Sequence, residues 1–252
     1  KAKGVYYTDF RLARHLAARM PPASRSCLPK IVDPACGSGI LLVAYALEQI
    51  QQHSANASQI IAHCLFGADL SKVALRGTLL ALSSLTSDLD AIQSLKQHLI
   101  ATDSLLASKS MWSDLAPEGF DGIIGNPPWE RLRVLAHEHF KANGHDRHYG
   151  DDYPDGNFHV LNTRREALRA YTTELNGRHR LQGKGEQDLY KLFLELACSI
   201  TKPNGRAVML IPAGLIRSQG AEELRLGLVR DTGRLDISIA DNKARFFAID
   251  TR

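Results

Sequence analysis

Lys30-Ile31-Val32-Asp33-Pro34-Ala35-Cys36-Gly37-Ser38-Gly39-Ile40 reads as a short apolar strand that ends in an acid, turns through two glycines and enters a helix predicted from Ile40 to about Gln52. Glycines strip side chains from a turn, so its backbone N–H groups approach a ligand closely. This βα unit repeats. Cys64-Leu65-Phe66-Gly67-Ala68-Asp69 is a second strand leading into a helix over Lys72 to Leu82, and Leu99-Ile100-Ala101 is a third strand that ends at Thr102-Asp103. A fourth strand covers Asp121 to Ile124, and a helix from Leu189 to Ile200 precedes a strand at Ala207-Val208-Met209-Leu210-Ile211. Ahead of them all, helical spacing runs from Arg11 to Met20 and stops at Pro21-Pro22. Strands alternating with helices predict an α/β fold with a doubly wound, mostly parallel sheet, which places ligands beyond the carboxyl ends of its strands.

With 252 residues, 44% hydrophobic and 23% charged, the chain has enough apolar surface for one substantial core, so a single domain over 1–252 is expected. Between Glu130 and Gln187 the periodicity weakens, broken by Gly144, Gly150, Pro154 and Gly156. An inserted loop or lid at 130–187 is one reading of this stretch, and plain disorder is the other. No apolar run reaches the roughly 18 residues of a membrane span and no signal-peptide core is present, which predicts a soluble, cytoplasmic protein. Cys27, Cys36, Cys64 and Cys198 form no Cys-x-x-Cys pair, so buried free thiols are expected rather than a zinc site or a disulfide framework. The chain has no initiator methionine and stops at Asp250-Thr251-Arg252, which reads as a piece of a longer polypeptide.

The net charge of +4 suits a polyanionic partner without demanding one. Its distribution is more telling, because Arg131, Arg133, Lys141, Arg147, Arg164, Arg165, Arg169, Arg178, Arg180 and Lys184 gather in one part of the chain. They serve either as phosphate contacts or as a solvated helix face. His145, His148 and His159 stand near Asp146, Asp151, Asp152 and Asp155 but without tight ligand spacing, so a polar loop and no metal are expected.

A second signature precedes the basic stretch. The apolar run Phe120-Asp121-Gly122-Ile123-Ile124-Gly125 closes in Asn126-Pro127-Pro128-Trp129. On a proline-stiffened turn, the Asn126 side-chain oxygen and the Pro127 carbonyl form a fixed pair of acceptors. Such a pair takes both hydrogens of an aromatic amine, whose lone pair is otherwise delocalised into its ring, and stabilises the positive charge that grows as the nitrogen attacks an electrophile. Trp129 adds a flat apolar face for a base. Standing alone, the four residues would read as a turn and a core tryptophan.

The glycine turn and the Asn-Pro-Pro-Trp turn, in this order and behind Gly4-Val5-Tyr6-Tyr7-Thr8-Asp9, resemble the amino-group DNA methyltransferases, specifically the N6-adenine class whose cofactor motifs precede the catalytic one. Tryptophan in place of the commoner tyrosine at Trp129 is similar to the type IIG restriction-modification methylases. The resemblance implies a Rossmann-like fold and S-adenosylmethionine as cofactor. It implies cofactor contacts from Tyr7, Thr8, Asp33, Ala35, Gly37 and Gly39, with Asp69 on the ribose hydroxyls and Asp103 on the adenine amino group. Ser71 is free to cap the helix after Asp69. Asp9 stands where the family usually has proline and is expected to cap the first helix. Asn126, Pro127 and Trp129 would be catalytic. Pro128 would meet the substrate, as would Phe246 or Phe247, either of which serves equally well in the core. Asp188-Leu189-Tyr190-Lys191-Leu192-Phe193 and the turn Lys202-Pro203-Asn204-Gly205-Arg206 extend the match.

The implied activity is methylation of adenine N6 in double-stranded DNA by direct attack from a flipped base. The setting would be a prokaryotic restriction-modification or phage-defence protein. A target-recognition region, and a nuclease if there is one, would lie in further polypeptide or a partner subunit. The absence of a Pro-Cys nucleophile argues against covalent attack on cytosine carbon. Open alternatives are N4-cytosine methylation, RNA guanine or protein glutamine methylation by the same acceptor pair, and a non-catalytic DNA-binding scaffold of the same fold.

Overall fold

Alternate side chains along each strand feed two different cores, and this is what winds the sheet on both faces. The computed structural model describes residues 8–24, 26–132, 158–181 and 187–240. Within them, β1 (Ile31–Asp33), β2 (Leu65–Asp69), β3 (Leu99–Ala101), β4 (Phe120–Gly125) and β5 (Thr201–Met209) form one sheet in the order β3-β2-β1-β4-β5. Every pairing is parallel. Ile31 lies opposite Leu65, and Val32 lies between Phe66 and Ile123.

Successive strand residues point to opposite faces. Ile31, Leu65 and Ile124 therefore pack on α1 (Phe10–Ala17), α2 (Ile40–Gln52), α3 (Lys72–Ser83) and α4 (Leu89–His98). Val32, Phe66 and Ile123 pack on α5 (Lys109–Leu115), α6 (Phe158–Arg178) and α7 (Leu189–Ile200). With both faces covered, β1, β2 and β4 read as largely continuous apolar runs rather than alternating ones. On the outer side of α7, Tyr190 and Leu194 meet Leu224 and Leu228 of α8 (Glu222–Asp231) in a third, smaller cluster.

The helix caps follow the sequence reading. Asp9 Oδ1 accepts from the Arg11 N–H at 2.8 Å at the start of α1, and Ser71 Oγ accepts from the Ala74 N–H at 3.2 Å at the start of α3. Each satisfies a donor that the first turn leaves over. Other expectations need correction. The first helix ends at Ala17 rather than Met20, because Ala18 to Met20 already turn toward the two prolines. β5 begins at Thr201 rather than Ala207 and ends at Met209; Asn204 at φ 63° and a shift of register against β4 between Phe120 and Gly122 absorb the expected turn inside the strand. Phe158–Arg178 is a 21-residue helix within the stretch expected to be irregular. Of the four thiols, Cys36 and Cys64 are buried, Cys198 is half-buried and Cys27 is exposed. Among the described residues, no helix is long and apolar enough to cross a membrane.

β4 lies inside the sheet, flanked by β1 and β5. Ile123 has no exposed surface, so Ile123→Ala is expected to lower stability by about 2–5 kcal/mol, the range for emptying a fully packed aliphatic site. Urea unfolding checks this, and a loss below about 1 kcal/mol would contradict the packing described.

Candidate functional site

Four neighbouring strands end in polar residues along one edge of the sheet: Asp103 beyond β3, Asp69 on β2, Asp33 on β1 and Asn126 beyond β4. Chain order reverses between β1 and β4, and open α/β sheets form their ligand crevice at such a reversal. The glycine loop leaves β1 on one side of this point and the Asn-Pro-Pro-Trp turn leaves β4 on the other.

The loop after β1 is held from β2 and α3. Asp69 Oδ2 accepts the Gly37 N–H at 2.9 Å, while Oδ1 accepts the Ser71 N–H at 2.7 Å. The Cys36 N–H donates to the Ala68 carbonyl at 3.0 Å, and the Gly39 N–H donates to the Cys36 carbonyl at 2.8 Å. Gly37 and Gly39 take φ values of 54° and 81°, a region that L side chains avoid. Among the described residues, no atom beyond its immediate chain neighbours lies within 4 Å of the Cβ position on Gly37, so the loop presents open space there. At Gly39 the same test meets Thr78 Cγ2 at 2.6 Å. Thr78 is fully buried, and its hydroxyl donates to the Gly37 carbonyl at 2.8 Å. Pro34 is fixed in the same way by the Ser104 hydroxyl, which donates to its carbonyl at 2.5 Å.

Neither Thr78 nor Ser104 was singled out from the sequence. Thr78 leaves a faint signal as a polar residue on the apolar stripe Leu75-Thr78-Leu82 of α3, whereas Ser104 leaves none beyond its place next to Asp103.

Asn126 is fixed from the amino-terminal segment. Its Nδ2 donates to Thr8 Oγ1 at 2.9 Å, which leaves Oδ1 as the acceptor end of the amide. That oxygen is buried, and no donor among the described residues reaches it. A buried acceptor without a partner costs about 1–3 kcal/mol and is rare without a purpose. The two turns close on each other at Gly125, where the Cβ position lies 3.0 Å from Met209 Sδ and 3.8 Å from Asp33 Oδ1. Pro127 is buried and Pro128 is half-buried. Trp129 is half-buried and packs against the cluster of Tyr190, Leu194 and Leu215.

Beyond Trp129 the chain is clipped to the start of α7. The Leu189 N–H donates to the Glu130 carbonyl at 2.9 Å, and the Leu132 N–H donates to the Gln187 carbonyl at 2.9 Å. Across this bridge Asp188 forms ion pairs with Arg131, Nε to Oδ1 at 3.3 Å, and with the buried Lys191, Nζ to Oδ2 at 3.1 Å. On the other side, Asp103 Oδ1 accepts the Leu105 N–H at 3.0 Å and Oδ2 accepts the Tyr171 hydroxyl of α6 at 2.9 Å.

Asp33, Ala35, Gly37, Gly39 and Asp69 thus share one loop system, Asp103 adjoins it through Ser104, and Thr8 and Asn126 meet across the crevice. Tyr7, Phe246 and Phe247 lie outside the described residues, as do Arg133, Lys141, Arg147, Lys184, His145 and His148. Among the described residues no three His, Cys, Asp or Glu side chains are grouped as metal ligands.

Burial also sets protonation. The Cys36 thiol is pushed well up by burial, then by Asp33 and Asp69, and stays protonated and unreactive. Asp33 is pushed up to about 7, first by burial, with the Ala35 N–H opposing the shift and the Asp69 carboxylate adding to it. The folded state therefore holds this proton more tightly than the unfolded chain. Stability from that source is complete below the ordinary value of 3.8, falls as pH rises, and is lost above about 7. Asp33→Asn is expected to gain on the wild type across this window, by at most about 4 kcal/mol at pH 8. Thermal melts at pH 4.5 and pH 8 check the sign, and a variant that keeps the wild-type slope would contradict it.

The family model for the Eco57I restriction-modification methylases matches residues 63–244. No curated protein sequence matches the chain. Among solved structures, the chain is similar to a nuclease-deletion mutant of the Type ISP restriction-modification enzyme LlaGI in complex with a DNA substrate mimic, with a TM-score of 0.60 and 16% identity over 92% of this chain and 22% of that one. It is similar to a modification subunit assigned to a type I restriction enzyme of Vibrio vulnificus YJ016, with a TM-score of 0.55 and 16% identity over 90% of this chain and 38% of that one. A third is the type IIG restriction endonuclease BpuSI, with a TM-score of 0.52 and 16% identity over 90% of this chain and 22% of that one. The likeness is one of fold, and the chain spans well under half the length of each of the three.

Proposed function

The chain belongs to the Eco57I restriction-modification methylase family, and from that premise we propose that it transfers a methyl group from S-adenosylmethionine to the N6 amino group of adenine in double-stranded DNA. The family's cofactor is S-adenosylmethionine. The residues present suit it, because the open space over Gly37 is what a side chain would fill and the adjoining carboxylates can meet donors. When bound, it supplies an electrophilic methyl group on a positively charged sulfur.

The Asn126 Oδ1, buried and without a donor among the described residues, carries this reading. Asn126 follows directly on β4, next to the strand that leads into the glycine loop, and is held with its amide nitrogen on Thr8. The oxygen and the neighbouring Pro127 carbonyl accept the two hydrogens of an exocyclic amine. That draws the nitrogen toward tetrahedral geometry and releases its lone pair for attack. Because Oδ1 is already desolvated, no water has to leave as charge grows, and its dipole acts at low effective dielectric. Trp129 offers its face to the extrahelical base, and stacking worth about 1–3 kcal/mol offsets part of the unstacking cost. On the cofactor side, Asp33, Ala35, Gly37 and Gly39 line the methionine end. Asp69 still has lone pairs for ribose hydroxyls after accepting two backbone N–H groups, and Asp103 accepts from the adenine amine. Thr8, with Tyr7 before it, closes the amino-terminal side. Arg169 and Arg180, both exposed, stand among the phosphate contacts. Target recognition belongs to further polypeptide or a partner subunit.

Incubation with tritiated S-adenosylmethionine and unmethylated genomic DNA, followed by nucleoside analysis, tests the assignment. Label is expected in N6-methyladenine. Label in N4-methylcytosine would replace the adenine reading, and absence of cofactor binding by the folded protein would favour the scaffold. Asn126→Ala is expected to lower transfer by about a hundredfold or more while sparing cofactor affinity, since that oxygen acts mainly as charge develops. Unchanged turnover would remove Asn126 from the mechanism. Asp69→Ala should weaken S-adenosylmethionine binding about tenfold in calorimetry, and unaltered affinity would contradict the ribose role.

A further inference from the structure

The Asp103 carboxylate is fixed from two separate elements. Oδ1 accepts the Leu105 N–H of its own loop at 3.0 Å, and Oδ2 accepts the Tyr171 hydroxyl from α6 at 2.9 Å. α6 is anchored to the same loop further along. Arg178 Nη1 donates to the Leu106 and Ala107 carbonyls at 2.5 and 3.3 Å, His179 Nε2 lies 3.2 Å from the Leu105 carbonyl, and Leu175 is fully buried between them. Tyr171 is thus held in place by its own helix. Two bonds on opposite oxygens stop rotation of the carboxylate and point its remaining lone pairs in set directions. Burial, followed by the bond to Asp103, pushes the phenol above its ordinary value, so it remains a donor throughout the working range of pH.

We propose that Tyr171 is a positioning residue that sets the base specificity of the cofactor site by orienting Asp103. This rests on the reading of Asp103 as the acceptor for the cofactor's adenine amine. A purine with an amine at position 6 donates into the oriented lone pairs. A purine with a carbonyl there turns an acceptor on an acceptor and is repelled, and rejection of this kind is strongest where the buried polar group cannot turn away. Without the hydroxyl the carboxylate can rotate, so the amine loses part of its bond and the carbonyl escapes part of the clash.

Calorimetry of wild type and Tyr171→Phe with S-adenosylhomocysteine and S-inosylhomocysteine tests the role. The variant is expected to bind the adenosyl ligand about tenfold more weakly and the inosyl ligand no more weakly, so that the ratio of affinities falls. In an Asp103→Ala background the same substitution should leave the ratio unchanged, because a residue acting through Asp103 has nothing left to orient. A helix that merely packs would move both affinities together. A ratio that survives Tyr171→Phe therefore overturns the role of Tyr171 alone, whereas a wild type that binds neither ligand overturns the cofactor site and this inference with it. Should the phenylalanine variant not fold, Tyr171→Met also lacks the hydroxyl and reads the same ratio.

Discussion

Parallel pairing of β1 with β4 in the middle of the sheet governs where everything else lies. Val32 and Ile123 stand in register, so the two strands finish side by side and hand their turns to the same crevice. A side chain at Gly125 would fill the gap between Asp33 and Met209. A Cβ at that position would crowd Met209 Sδ at 3.0 Å and reach contact distance of Asp33 Oδ1 at 3.8 Å, so glycine leaves that space open between the ends of β1 and β4. The glycine loop and the Asn-Pro-Pro-Trp turn are 86 residues apart between Gly39 and Gly125 along the chain, and only this pairing brings them together.

Burial at this edge works against stability. Asp33 is 2% exposed and carries an acid whose ionisation is opposed by its surroundings, and Asn126 keeps inside an oxygen that no donor among the described residues reaches. Each costs free energy that an apolar residue would not. The surrounding bonds make both tolerable. Ala35 donates to Asp33, Thr8 holds the Asn126 amide nitrogen, and the loop between them is pinned by Asp69, Thr78 and Ser104. Polar groups held in a dry site and left short of partners are what a preorganised receptor for a charged, hydrogen-bonding ligand requires.

Much of this was legible in the sequence because it is local. The strand-glycine-helix unit, the Asn-Pro-Pro-Trp turn, and the caps at Asp9 and Ser71 depend on residues within a few positions of one another. β1, β2 and β4 showed as apolar runs because both their faces are covered. Thr78, Ser104 and Tyr171 escaped notice for the opposite reason: their partners are 41, 70 and 68 residues distant, and a lone hydroxyl gives no periodic signal. α6 was missed because only one narrow side of it, with Leu168, Tyr171 and Leu175, turns inward, while its remaining surface is largely arginine, threonine and glutamate. The early start of β5 was hidden by Pro203-Asn204-Gly205, which reads as a turn and is accommodated as an irregularity against β4.

The stretch that follows the Asn-Pro-Pro-Trp turn is tied to both halves of the crevice. At its roots, the bridge between Glu130–Leu132 and Gln187–Leu189 holds it beside Trp129, with Asp188 shared between an exposed arginine and a buried lysine. The exposed half of that pair contributes little on its own, but the buried half cannot be broken without stranding a charge. Further out, α6 crosses to the opposite side of the site and bonds the loop of Asp103 through Tyr171, Arg178 and His179. The described parts of this stretch therefore touch the turn that holds the proposed amine acceptors, at 130–132 and 187–189, and the carboxylate on the proposed cofactor side, through α6. Movement of α6 away from the sheet has to break its bonds to the loop of Asp103, so that helix and the carboxylate on the proposed cofactor side are held together by residues that belong to neither signature motif.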